Sequence, residues 1–486
     1  MNPFRALWAW FYDRFRLPVF HRFIQEHRVP KALAGRKGWF YILGNATLAA
    51  FLVQVVTGIA LTSKYVATPA HAYESLQHIT DVATLGWLIR ALHYFGASAM
   101  VILIVLHACR TFLTGSYKFP REASWMTGVV LLFLTSLLAF SGQLLRWNQD
   151  GVWAVVVAAQ FASRVPLVGA ELAEFVLAGQ GVGGPTLSRF YSLHTIVLPV
   201  LVVAVVSFHL YLVIENGISE PPESGKPVDK RTYRAQYEKL KEHGADYFPD
   251  TVWREAIAAL VVVAVIFALA FTFGPKTLGA PPDPTTLSAR PRPDWFLIWY
   301  YAVLWLKPRG AETLVMVYLP LGTLFFLFVM PILFGKGERS PLRRPWAIPI
   351  VVGILASFAS LIWLGLRAPW EPDYETKPIP TAVIGAAEGP VYEGALLFHE
   401  RGCQICHRVL DHGGAYGPDL TNVTTRLSPE EVAVRTVMGF GDMPAYRDAI
   451  TDAELGTIVA FLKAIEGRKQ AAGASTTIIG GPGGEQ

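Results

Sequence analysis

Residues 86–110 read GWLIRALHYFGASAMVILIVLHACR. The stretch is long and apolar enough to cross a bilayer, whose core takes about 20 residues of helix. Two histidines, His93 and His107, sit inside it. An ionisable side chain in the bilayer is costly and therefore marks function unless a partner neutralises it. Fourteen residues at about 100° and 1.5 Å each return the second histidine nearly to the face of the first, about 21 Å further along the axis.

The same pattern recurs at 190–214, where His194 and His209 are fifteen residues apart. Both segments run in the same direction through the membrane, so His93 shares a level with His194 and His107 with His209. The spans on either side of the first pattern carry glycines at matching intervals, Gly44 and Gly58, then Gly128 and Gly142. Glycine removes the Cβ where a flat macrocycle approaches backbone. Two haems stacked between four helices account for all eight positions. Interhelical hydrogen bonds for the histidines and close helix packing for the glycines are the plainer alternatives.

Further apolar runs at 39–63, 125–145, 253–274, 313–334 and 346–366 bring the expected spans to seven. With 52% hydrophobic and 16% charged residues over 486 positions, the chain is too apolar for an ordinary soluble domain. Three cysteines exclude a disulfide framework, and a diffuse net charge of +5 excludes a nucleic-acid surface. Lys and Arg concentrate in 1–38, 110–123, 216–252 and 336–345, which places the N-terminus in the cytoplasm and the C-terminus outside. Residues 1–38, with Trp8, Trp10 and Phe11 among basic residues, suit an amphipathic segment on the inner surface. The Pro-rich 369–390 reads as an extended linker, 391–468 as a soluble domain and 469–486 as a flexible tail.

In the soluble part, Cys403, Cys406 and His407 form the CxxCH attachment sequence of a covalent haem c, two thiols for the vinyl groups and a histidine for iron. A zinc site requires more ligands at suitable spacing. Met443 is the expected sixth ligand and Met438 its competitor. The helix 452–463 is expected to pack on 391–401. The lone Cys109 reads as inert packing in a span.

Residues 39–218 resemble the four-helix cytochrome b of the cytochrome bc family, of the b6 type, through GWLIRALH, LHACRTFLTG and TLSRFYSLHTIVLP. Residues 251–368 resemble subunit IV through PDWF at 293–296 and RRPWA at 343–347, with 219–250 as the cytoplasmic connection. The fold class expected is all-α, a seven-helix membrane bundle with a small helical cytochrome c domain of class I.

The resemblance implies that His93 and His194 hold one haem b and His107 and His209 another, with Arg90, Arg110 and Arg121 near their propionates. It implies quinol oxidation on the outer side at Pro293, Asp294, Trp295 and Phe296, where a carboxylate can accept a proton. Asp294 replaces the family's longer Glu, Phe296 lacks a tyrosine hydroxyl, and capping of the following helix is the plainer task for Asp294. The family's GYxLPW stands here as Gly142, Gln143, Leu144, Leu145, Arg146, Trp147. Ile42 occupies the position of the cysteine that anchors an extra haem in b6-type relatives, so no covalent haem is expected there. Ile214 and Glu215 stand where relatives have basic inner-quinone residues, so the inner site is unassigned.

The function implied is a proton-translocating quinol:cytochrome c-type oxidoreductase subunit in a bacterial inner membrane, homodimeric within its complex. Its partners would be a Rieske iron–sulfur protein, quinol and quinone, and a cytochrome c or terminal oxidase. A linear dihaem membrane anchor and a purely electron-carrying scaffold are the alternatives.

Overall fold

A computed structural model describes residues 3–14, 27–179, 182–282, 292–308, 310–367, 377–414, 417–439, 443, 446–447 and 449–468. The expected tail, part of the linker, residues 15–26, and Gly441, Asp442 and Pro444 beside Met443 lie outside these residues. Among the described residues, seven helices are long and apolar enough to cross a membrane: Leu43–Thr62, Gly86–Leu113, Glu122–Leu144, Gly184–Asn216, Val252–Phe273, Leu314–Phe334 and Ala347–Arg367. They match the seven expected spans, and the chain is an integral membrane protein. The first span starts later than expected because Arg36–Tyr41 is a 3-10 turn.

The first span packs on the second and the third on the fourth, and the fifth lies against the first two. The sixth packs on the third, while the short apolar helix Trp295–Leu306 packs on the seventh. Large apolar side chains such as Leu260, Phe271 and Phe325 stay exposed on the spans, the surface a lipid environment requires.

The fourth span is not α-helical throughout. Leu193–Val197 forms a π turn, closed by the amide of Leu198 donating to the carbonyl of Leu193. Fifteen α-helical residues overshoot four turns by about 60°, whereas fourteen fall about 40° short. The π turn absorbs one residue, so the spacing of fifteen here does the work of fourteen in the second span. Such turns occur often at functional positions.

Between the third and fourth spans the chain forms the helices Gln149–Ser163 and Gly169–Leu177, which the apolar periodicity of the spans did not announce. Asn148 caps the first by accepting from the amide of Gly151 at 2.9 Å. In the C-terminal part, Pro390–Glu400 and Asp452–Ala464 cross closely, with Phe398 and Phe461 ring centres 6.0 Å apart. A Cβ on Gly394 would come within 2.4 Å of the Thr457 carbonyl oxygen, so the crossing requires glycine. The extended-linker reading needs correction at its C-terminal end. Ile379 and Ile384 are buried in this domain's core, and the Lys377 carbonyl accepts from Gln404 Nε2 at 3.1 Å. Their burial ties 377–389 to the domain rather than leaving it in solvent. Among the described residues, sheet is limited to Arg28–Val29 with Ala245–Asp246 and Arg408–Val409 with His412–Gly413, both antiparallel.

Candidate redox and quinol sites

His93 and His194 come together with ring centres 6.3 Å apart and planes at 79°. An iron between two imidazoles, at about 2 Å from each nitrogen with roughly 1 Å more to each ring centre, requires roughly 6 Å. His107 and His209 lie within electrostatic range of one another at the second level. Each glycine of the matched set faces one imidazole. A Cβ on Gly44 would lie 3.2 Å from His107 Cε1, on Gly58 3.3 Å from His93, on Gly128 3.7 Å from His209 and on Gly142 2.7 Å from His194. The close approach is therefore of ring to backbone.

Hydroxyls orient three of the four rings. Thr57 Oγ1 lies 2.9 Å from His93 Nδ1, Thr127 Oγ1 2.8 Å from His209 Nδ1 and Ser141 Oγ 3.0 Å from His194 Nδ1. Each hydroxyl donates to a carbonyl of its own helix, at Val53, Ala123 and Leu138. Its lone pair is then left to accept from Nδ1–H, which keeps Nε2 bare for a metal. Sequence reasoning passed over these residues, although each stands immediately before one of the glycines it singled out.

The three arginines differ. Arg121 spends its guanidinium on the chain itself, Nε on the Gly217 carbonyl (2.8 Å), Nη1 on Tyr233 Oη (2.6 Å) and Nη2 on the Asn216 carbonyl (3.1 Å). It clamps the end of the fourth span. Arg90 donates to Thr80 Oγ1 (2.9 Å) and to the Lys276 carbonyl. Arg110 keeps Nε and Nη2 buried without a partner among the described residues, its charge 3.5 Å above the Tyr41 ring. Buried cationic donors left open suit an anion such as a haem propionate.

At the other face, Asp294 does not cap the helix that follows it, since its side chain makes no cap hydrogen bond. Its buried carboxylate pairs with Arg146, Nη2 to Oδ2 3.3 Å, and with Lys276. Its amide donates to Gln143 Oε1 at 3.1 Å, and Trp295 Nε1 donates to Ser98 Oγ at 3.1 Å. The loop thus sits on the second and third spans beside the His93 and His194 level. Pro293 precedes it and Phe296 packs edge-on to Trp295. Lys276 carried no signal in the sequence beyond its charge.

At the opposite end, Tyr41, Ile42, Ile218, Thr251, Arg254 and Glu255 line a cavity. The Glu255 carbonyl accepts from Asn45 Nδ2 at 2.7 Å, next to Gly44, and its carboxylate accepts from Tyr247 Oη at 2.6 Å. A carboxylate in the first turn of an apolar span was the signal available in the sequence.

In the C-terminal domain, His407 Nδ1 donates to the Pro418 carbonyl at 2.9 Å, and burial holds its pKa below the ordinary value. A Cβ on Gly417 would meet His407 Cε1 at 2.5 Å. Burial pushes the Cys403 thiol up to about 11, so it behaves as a packed thiol until it is alkylated. Met443 is half-buried. Met438 is 59% exposed, with its sulfur accepting from Arg447 Nη2 at 3.2 Å. The donor sets and cradles fit haem at the histidine pairs and at His407.

The family model described as Cytochrome b/b6/petB matches residues 28–217, and that described as Cytochrome b(C-terminal)/b6/petD matches 281–384. Residues 390–462 match the model described as Cytochrome C oxidase, cbb3-type, subunit III. Cytochrome b6 of Gloeobacter violaceus is 42% identical over 215 residues, 44% of this chain and 98% of the relative. Cytochrome b6 of Synechococcus elongatus is 40% identical over the same length and shares. A solved structure titled Hyperthermophilic respiratory Complex III superposes with a TM-score of 0.63 at 27% identity, covering 74% of this chain and 91% of that one.

Proposed function

Because the chain belongs to the cytochrome b/b6 family, we propose that it is the membrane subunit of a quinol-oxidising complex of the complex III kind, fused to its own cytochrome c. The observation that carries this reading is the buried Asp294 loop seated beside the His93 and His194 pair. Haem bound at the two histidine pairs and at His407 supplies one-electron chemistry. Two haem b and one haem c per chain are proposed, and His407 and Met443 would hold the iron of the latter.

A hydroquinone oxidised beside Asp294 releases two protons and two electrons. Asp294 takes one proton after exchanging one of its cationic partners, the other leaves to the outer aqueous side, and Trp295 and Phe296 shield the pocket from bulk water. The two electrons leave separately, one to an iron–sulfur protein on another chain and then toward His407, one across the membrane toward the His107 and His209 level. Arg110 would hold a haem propionate there, and Glu255 supplies a proton where an inner quinone is reduced. In this reading the iron–sulfur protein is a separate chain, since the three cysteines here do not serve both the CxxCH sequence and a cluster. A cytochrome c or terminal oxidase takes the outgoing electrons. The proposed orientation keeps the N-terminus in the cytoplasm of a bacterial inner membrane, with the helix Pro3–Arg14 on its surface.

The test is an oxidant pulse given to the isolated complex with quinol present and the inner quinone site blocked. A transient rise in reduced haem b while haem c is oxidised supports separate electron paths. Oxidation of both together under the block establishes a linear anchor instead.

A further inference from the structure

Gln143 lies in the last turn of the third span and is 3% exposed. Its Oε1 is committed to the Asp294 amide, which fixes the orientation of the carboxamide. Its Nε2 is buried and has no acceptor among the described residues. Leaving such a donor open is costly, so the fold keeps it only where something else accepts.

The groups around it leave few alternatives. The Asp294 carboxylate is already shared by Arg146 and Lys276, and Trp295 Nε1 is spent on Ser98. Phe296 has no polar atom, so the PDWF loop has no side-chain donor to spare. Arg146 Nη2 is also buried without an aligned hydrogen bond, but its charge is drawn to Asp294 Oδ2. A hydroquinone oxygen can accept a hydrogen bond while its own hydroxyl donates, and the quinone product can only accept.

We propose that Gln143 Nε2 donates a hydrogen bond to an oxygen of the hydroquinone at this site and so orients the ring toward Asp294. The proposal rests on the reading of the Asp294 pocket as the quinol-oxidising site. It assigns substrate recognition to a residue at the end of the third span, where the family motif GYxLPW has tyrosine.

Two variants separate the donor from the scaffold. Gln143→Glu keeps an acceptor for the Asp294 amide and removes the donor, and Gln143→Met keeps the length and removes both. In the purified complex with a short-chain hydroquinone, both variants should raise KM about tenfold with kcat within about twofold. The absorbance spectra and midpoint potentials of haem b and haem c should be unchanged, which also shows that the variants fold. If Gln143→Glu keeps the wild-type KM, or shifts the potential of the haem at His93 and His194 instead, the proposal is overturned. Absence of quinol oxidation in the wild-type complex marks the different failure, that of the pocket's reading itself.

Discussion

Arg146 Nη2 stands 3.3 Å from Asp294 Oδ2, with side-chain exposures of only 11% and 7%. Two of the departures from the family's motifs, arginine for proline in one loop and aspartate for glutamate in the other, are thus in contact. A carboxylate shortened by one methylene reaches less far, and a long cation from the neighbouring loop comes to meet it. Lys276 closes the same carboxylate from the segment after the fifth span.

Removing the carboxylate leaves Arg146 and Lys276 uncompensated and removing Arg146 leaves Asp294 to Lys276 alone, and breaking a buried pair from one side is usually costlier than removing both partners. Arg146→Gln and Asp294→Asn should each slow quinol oxidation about tenfold with haem content intact. The double variant should be clearly less impaired than the product of the two single effects. Turnover normalised to haem c decides the point. Additive losses would mean that the ion pair has no part in the reaction, and unchanged turnover in Asp294→Asn removes that residue from it.

The four glycines should respond to alanine in the order of their clearances. A methyl at 142 would lie 2.7 Å from His194 Cε1, inside any tolerable contact, whereas at 128 it would lie 3.7 Å from His209, an ordinary one. Gly142→Ala should therefore lose most of the haem at the His93 and His194 level, and Gly128→Ala should keep nearly full occupancy. Gly44→Ala and Gly58→Ala, at 3.2 and 3.3 Å, should fall between. The ratio of haem b to haem c in the same chain gives the occupancy directly.

The spans and the histidine register were legible because bilayer burial and helical period act along the chain, residue by residue. The hydroxyls of Thr57, Thr127 and Ser141 were within reach of the same reading, one position before Gly58, Gly128 and Gly142. The meeting of Arg146 with Asp294 was not, since it depends on how two distant loops pack over the ends of the second and third spans. The contacts of Arg121 were hidden for a related reason. A basic residue at a membrane edge gives no sign in sequence of the carbonyls it clamps, here at the end of the fourth span. Likewise, the proline content of 369–390 signalled extension but not the burial of Ile379 and Ile384 against the last domain.

Acid should act on the C-terminal domain through Glu454. The amide of Thr451 and then the Arg401 guanidinium hold its carboxyl at about 2, well below the ordinary 4.5. A carboxyl depressed on folding contributes stability that is fully present above its unfolded value and is lost as pH falls toward its folded one. The thermal midpoint followed by haem c absorbance should drop between about pH 5 and pH 2, and less steeply in Glu454→Gln. Equal slopes would mean that the Thr451 cap is not titrated in that window.

The π turn at Leu193–Val197 makes the sharpest prediction for the membrane part. If it exists to absorb one residue, deleting Val197 should convert the segment to continuous α-helix and leave His194 and His209 fourteen apart. They would then stand on one face, as His93 and His107 do. Both haem b groups should survive, with at most a modest shift in midpoint potential. Deleting Met100 from the second span, which is α-helical throughout Gly86–Leu113, should instead turn His107 by about 100° away from His93 and abolish at least one haem b. Haem b measured against haem c in each deletion reads the outcome. Loss of haem b in the Val197 deletion would show that the π turn is needed for itself, to aim His194, and not to restore the register.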